Sequence, residues 1–248
     1  MASGIAARFA PYHKWDRNFF LTYVVLIWFG ILGGFVPEIL EHIAKNQPDY
    51  PFIIHVHAVA FVGWLVVLTI QTLLIRRSRH DLHRKLGVAA MALAAIMIVV
   101  GPATAIYMQR YHWGTPDSDP AFLAVQLTDI LAFAGFVTAA FVLRGDPSAH
   151  KRLILLATLY ISDAGFARFL GGGIHGIFGD SLWPYRPSLY LANDVLILGL
   201  GAYDFATRRR LHPAYVAGLF WVAANQLTAS LLESSPTWKA VAVKLIGH

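Results

Sequence analysis

An all-α, polytopic membrane protein is the fold class this sequence predicts, with seven transmembrane helices in one bundle. Three observations predict it. Apolar runs of about twenty residues, the length that crosses the hydrocarbon core of a bilayer, recur along the 248-residue chain. Hydrophobic residues make up 57% and charged residues only 14%, and the mean hydropathy is +0.55, far from a soluble average. Lys and Arg gather in alternate links between the runs. No extended soluble stretch is left over, so residues 1–248 are expected to form a single domain.

The first span is expected at 19–36, closed by Pro37, with an acidic loop (Glu38, Glu41, Asp49) reaching Pro51. The second, 52–75, reads FIIHVHAVAFVGWLVVLTIQTLLI and runs into the basic turn RRSRHDLHRK. The third is 86–108, where Gly101-Pro102 predicts a kink near the far end. The fourth is 121–143, and the short link RGDPSAHKR leads to the fifth at 153–170. A Gly-rich loop, GGGIHGIFGDSLWPYRPS, precedes the sixth at 189–207; the seventh is 214–233. The tail PTWKAVAVKLIGH suits a short interfacial helix.

Fourteen of the 20 Lys and Arg residues fall at the N-terminus and in the second-to-third, fourth-to-fifth and sixth-to-seventh links. The positive-inside rule then places the N-terminus in the cytoplasm and the C-terminus outside. Seven spans have that parity. The same distribution accounts for the net charge of +6 and argues against nucleic acid as a partner. The absence of cysteine excludes disulfides, thiolate metal sites and thiol catalysis. No P-loop, GxGxxG turn or GxSxG elbow occurs. No Lys lies deep in the seventh span, which disfavours a retinal Schiff base. The first residues lack a short apolar core with a small-residue cleavage site, so no cleaved signal peptide is expected.

Polar side chains inside the spans are the candidate functional residues, because an ionisable group in a bilayer is costly unless held in a protein interior. At about 1.5 Å per residue, His57 lies roughly 8 Å below the outer boundary, Asp129 and Asp163 about 12 Å, Asn193 and Asp194 about 7 Å, and Asn225 and Gln226 about 14 Å. Gln126 is one turn from Asp129 on the same face, and Arg168 lies nearer the surface than Asp163. These groups come from five spans and share the outer half, which predicts a common polar interior there. At about 100° per residue His57, Trp64 and Gln71 form one stripe, with His55 on nearly the opposite face. Three outcomes are open for the outer interior: helix–helix hydrogen bonds with a buried Asp–Arg pair, a ligand, quinone or metal pocket, or a proton or ion pathway. A divalent metal would use His57 with Asp129, Asp163 or Asp194. Arg168 is expected to pair with Asp163, Asp194 or Asp129.

Every span that starts from the cytoplasm follows a His beside basic residues or Pro: YHKWDR, LHRKLG, AHKRLI and LHPAY. Interfacial anchoring explains such a pattern. His83 and His150 carry a sharper reading, because they open spans three and five in nearly the same words, HRKLG and HKRLI, at the same predicted depth.

His57, Gln71, the stretches IRRSRHDLHRKLG and LRGDPSAHKRLILLATLY, and Arg168 together resemble a bacterial family of predicted multi-span membrane proteins with two His-Arg motifs at the cytoplasmic starts of two spans. The resemblance covers residues 52–170 and brings no activity with it; the second motif here reads His150-Lys151-Arg152. In layout the chain also resembles the transmembrane ascorbate-reducible di-haem cytochromes, whose axial His pairs sit on four consecutive spans. That resemblance implies His83 and His150 as an inner haem pair. Arg84, Lys85, Lys151 and Arg152 would hold propionates, and His57 would be half of an outer pair. Span four offers Gln126 and Asp129 but no His as the partner of His57, a departure that counts against an outer bis-histidine haem. Bis-His ligation is chemically reasonable, since two neutral imidazoles on facing helices clamp the iron.

The leading functional expectation is an integral protein of the bacterial inner (cytoplasmic) membrane that uses haem b or a quinone for electron transfer. The alternatives are a non-redox ligand- or metal-binding or proton/ion-coupled transport protein using the outer pocket, and an accessory subunit of a larger membrane complex. The expected partners are the lipid bilayer and, under these readings, quinone or other membrane subunits.

Overall fold

The computed structural model describes residues 9–179 and 182–248. Residues 1–8, including Arg8 of the basic N-terminus, and residues 180–181 of the Gly-rich loop lie outside the described set. The described residues form α1 (Asp16–Ala44), α2 (Phe52–Arg76), α3 (His80–Tyr111), α4 (Leu123–Val142, led by the 3-10 turn Pro120–Phe122), α5 (Pro147–Ile161), α6 (Asp163–Phe178), α7 (Pro187–Arg208), α8 (Pro213–Ser234) and α9 (Pro236–Leu245). No strand occurs among them. The helices α1 to α4, α7 and α8 are each long and apolar enough to cross a membrane, and α5 with α6 makes a seventh crossing if the 53° bend between them lies within one broken span.

Large apolar side chains are exposed around the bundle as well as buried within it. Phe52 is 81% exposed, Ile177 77%, Val59 74% and Phe220 73%. Large side chains this bare around a helical bundle are a lipid-facing surface rather than scattered exceptions. The centre is α5, where Leu155 to Tyr160 are all buried, because α4, α6, α7 and α8 pack around it. The ends of α1, α2, α5 and α7 that carry the basic residues meet at one face. Arg76 Nη1 donates to Arg17 O, Lys151 Nζ to Asp16 Oδ2 at 2.7 Å, and Arg208 Nη2 to both Asp16 oxygens at 2.8 Å. We call this the basic face.

Several expectations change. Pro37 does not close the first span; it lies inside α1, which runs to Ala44. A proline removes one ladder bond, and packing against neighbours carries the helix through it. The stretch 171–178 is not loop, since α6 continues to Phe178 through four glycines. The fifth span is not one helix over 153–170. It breaks at Ser162, whose Oγ donates to Leu159 O at 2.7 Å while Asp163 accepts from Ala164 N. Asn193 of α7 also donates to Leu159 O and, at 3.1 Å, to Ser162 Oγ. These side chains satisfy the backbone that the break frees, the condition for irregular structure at membrane depth. The tail does form a helix, α9, held by Trp238 Nε1 donating to Ala121 O at 2.9 Å.

Small residues set how closely α1 approaches α6. A Cβ on Gly34 would meet Gly165 O at 2.2 Å, and one on Gly30 would meet the Phe166 ring at 2.4 Å. Backbone cannot move aside as a side-chain tip can. Gly34→Ala is therefore expected to cost about 1–3 kcal/mol through overpacking. Gly172→Ala, with nothing near its Cβ, should be neutral or stabilising by up to about 1 kcal/mol from helix propensity. Thermal unfolding of both variants in detergent checks the contrast, and equal effects would refute the close-packing argument.

Candidate functional site

The turn between α4 and α5 fixes His150. Asp146 caps α5 by accepting from Ser148 N at 2.8 Å and Ala149 N at 3.2 Å, and Pro147 occupies the first helical position, where its missing N–H costs nothing. His150 then sits in the first turn with Nδ1 2.9 Å from Ala140 O of α4. A carbonyl only accepts, so Nδ1 carries a proton, and in the neutral ring Nε2 then holds the lone pair. That is the tautomer of a metal-ligating imidazole with a backbone partner.

His83 occupies the first turn of α3, where Gln71 Nε2 of α2 donates to its carbonyl at 3.1 Å. His83 Nδ1 and Gln71 Oε1 are buried without hydrogen-bond partners. The ring centres of His83 and His150 lie 6.2 Å apart with planes at 88°. Both rings line a cavity of about 1120 Å³ bounded by α1, α2, α3, the α4–α5 turn and α5. Its floor is apolar, with Val67, Leu68, Met91, Ile154 and Leu155, and closed by Trp64, which donates to Thr158 Oγ1 at 3.1 Å. Arg17, Arg76, Arg84, Arg144 and Lys151 also line it, at the basic face. An apolar chamber with a cationic mouth suits a flat or elongated apolar ligand carrying anionic groups.

Of the predicted cofactor residues, His83, His150 and Arg84 meet at this cavity. Lys151 lines it too, although its ammonium is paired with Asp16. Arg152 does not join them. It is fully buried, with Nε donating to Asp204 Oδ2 at 2.6 Å, Nη2 to Asp204 Oδ1, and Nη1 to Ser148 O at 2.8 Å. Phe9 covers it, with the guanidinium carbon 4.6 Å from the ring centre.

The outer-half residues divide among several partners. His57 stacks on Phe61 at 3.9 Å, away from the cavity that Trp64 and Gln71 of its stripe reach. Arg168 pairs with Glu38 of α1 at 2.7 Å, not with Asp163, Asp194 or Asp129, because the extension of α1 past Pro37 brings Glu38 within reach. Asp194 accepts from Tyr185 OH and Gln226 Nε2, each at 2.9 Å. Burial, and then the Asp194 carboxylate, pushes the Tyr185 phenol above its ordinary value, so it stays a donor. Asn225 bonds its own helix at Trp221 O, and Asn193 serves the α5–α6 break. Gln126 accepts from Gln109 at 3.5 Å. Asp129 and Asp163 are brought into contact with each other. Among the described residues no three His, Cys, Asp or Glu side chains converge as a metal site.

The cation–anion network of the basic face was missed. Asp16 receives Lys151, Arg208 and, at 2.6 Å, Tyr203 OH, and Arg208 Nη1 lies 3.7 Å from Asp204. Asp204 inside a predicted span was the signal that could have flagged it.

His212, in the turn between α7 and α8, caps α8 by accepting from Ala214 N at 3.1 Å and packs edge-on to Phe9. Burial, then the Arg152 charge, holds its pKa below the ordinary 6.5. The folded chain therefore binds fewer protons here than the unfolded one. The stabilisation is complete above 6.5 and is lost as pH falls through 6.5 toward the lowered folded value. Unfolding temperatures in detergent should decline over that window. His212→Asn, which keeps a capping oxygen, should flatten the decline; an unchanged pH profile would refute the assignment.

No family model, curated protein or solved structure matches this chain.

Proposed function

We propose that this multi-pass membrane protein holds a b-type haem between α3 and α5 at its basic face and serves in electron transfer. The observation that carries the reading is the His83–His150 pair, 6.2 Å between ring centres within a cavity of about 1120 Å³. That separation would let one metal ion be held by a nitrogen of each ring. The perpendicular ring planes and the Nδ1-protonated tautomer of His150 agree with ligation through Nε2. His83 and His150 would hold the iron, and Arg17 and Arg84 at the mouth would balance propionates. Bound there, haem supplies one-electron redox chemistry.

The chain's own residues do the rest. Ala140 O orients the His150 ring, and Gln71 ties the first turn of α3 to α2. The apolar floor excludes water and lowers the local dielectric, which favours the less charged redox state. By the positive-inside rule the basic face is cytoplasmic, with α5 and α6 together counted as one span, giving seven spans, N-terminus in and C-terminus out.

A second reading rests on the unpartnered Gln71 Oε1 and His83 Nδ1: a quinol in the same cavity would donate a hydroxyl to Gln71 Oε1, and a quinone carbonyl would accept from His83 Nδ1–H. An optical spectrum of detergent-purified protein from haem-replete cells, oxidised and then dithionite-reduced, separates the two. A Soret band that moves on reduction is the expected result. A featureless spectrum with an extractable quinone would replace the haem reading by the second, and a featureless spectrum with neither would remove both.

A further inference from the structure

The cavity is not the only unusual feature. At the α5–α6 break, on the side of the bundle away from the basic face, the carboxyls of Asp129 of α4 and Asp163 of α6 face each other. Asp163 is 6% exposed, and one of its oxygens already accepts from Ala164 N. Asp129 Oδ1 is buried, and no N–H or hydroxyl of the described residues donates to it. Two ionised carboxylates in contact at this depth would repel without solvent to screen them.

The surroundings add unsatisfied oxygen atoms. Tyr160 of α5 and Tyr190 of α7 are 2% and 1% exposed. Both hydroxyls lack hydrogen-bond partners, and both side chains lie within electrostatic reach of both carboxyls. Asn193 Oδ1 is likewise buried and unpartnered. The charged groups facing the pair are Asp194 of α7 and Arg168 of α6, and each has a partner of its own: Tyr185 and Gln226 for Asp194, Glu38 for Arg168. Buried hydroxyls left unpaired beside carboxyl oxygens are where bridging water sits. Gln126, one turn from Asp129, and Gln109 in the last turns of α3 continue the polar atoms toward the face opposite the basic one. Gln109 Oε1 is itself unpartnered.

We propose that Asp129 and Asp163 form a proton-binding site: the pair shares one proton at rest and takes up a second from the aqueous phase at the face opposite the basic one. One O–H bond forms per proton taken up, and the pair passes from one net negative charge to none. Water between Tyr160, Tyr190 and the carboxyls delivers the proton, and Gln126 stands at the entry. The site is separate from the cavity at the basic face and does not depend on what that cavity holds.

Infrared pH-difference spectroscopy of the air-oxidised protein in nanodiscs tests it. Between about pH 4 and about pH 10, a carboxylic-acid carbonyl band is expected to grow as pH falls and to shift in D2O. Asp129→Asn and Asp163→Asn should each abolish it. Asp129→Glu, which keeps the carboxyl, should move its frequency, so the assignment stands even if an Asn variant does not fold. Gln126→Leu should slow the D2O shift while leaving the band in place. A band that is present but unmoved across that range would make the pair a static structural hydrogen bond and overturn the proposal, as would a pH-dependent band insensitive to all three Asp substitutions.

Discussion

Replacing His150 with Ala is expected to abolish visible absorbance in the purified protein, and His83→Ala to do the same. Each substitution removes one of the two imidazoles that face each other across 6.2 Å, and a single axial His in an open cavity holds haem weakly. Loss of a tightly bound group should also lower apparent stability, by about 4 kcal/mol if it was present at a thousandfold excess over its Kd. Unfolding temperatures with and without added haem report that term. Rescue separates loss of the ligand from loss of the fold: free imidazole should restore the spectrum of His150→Ala by occupying the vacated space. Arg84→Ala is a milder control, since Arg84 lines the cavity and would not hold the iron; it should weaken retention or shift the midpoint potential while leaving the band shape unchanged. Visible absorbance that survives both His substitutions intact would remove the haem assignment to this cavity.

Asp204→Ala should be the most destabilising single substitution at the basic face, at about 3–5 kcal/mol, the usual cost of stripping one partner from a buried ion pair. Asp204 sits between two cations, Arg152 with a two-pronged contact and Arg208 at 3.7 Å. Its removal leaves both guanidiniums buried side by side. Arg152→Met should cost less, because Asp204 then retains Arg208. The double variant Arg152→Met, Asp204→Leu should recover part of the loss, since an apolar pair of similar volume replaces a costly desolvated one. Thermal unfolding of the three variants in detergent checks the order. If Arg152→Met proved as damaging as Asp204→Ala, the alternating arrangement of charges would not explain stability here.

Much of the fold was legible because hydropathy adds along the chain. A run of about twenty apolar residues must cross or bury itself whatever its neighbours do, so the helical class and the candidate spans followed directly. Pro37 and the Ser162 break were not legible. Whether a helix survives a proline or parts at a serine depends on side chains from other helices that satisfy the freed backbone, here Asn193. The two readings of the polar residues diverged for a similar reason. His83 and His150 could be paired from sequence because each opens a helix at the same face, which fixes their depth. Arg168 could not be assigned to Glu38, nor Arg152 to Asp204, because those partners lie 130 and 52 positions away.

The sequence by itself determined that this is a helical membrane-type chain with a basic end, a pair of histidines at that end and carboxylates in its interior. Each of these follows from composition, span length and position within a span. Only the tertiary structure decided that the histidines share a cavity, that Arg152 is withdrawn into an ion pair, and that Asp129 touches Asp163 rather than His57. Depth along a helix is set by counting residues, but which faces meet is set by close contacts such as Gly34 against Gly165. Those rotational placements come from packing between helices, and a single helix carries no record of them.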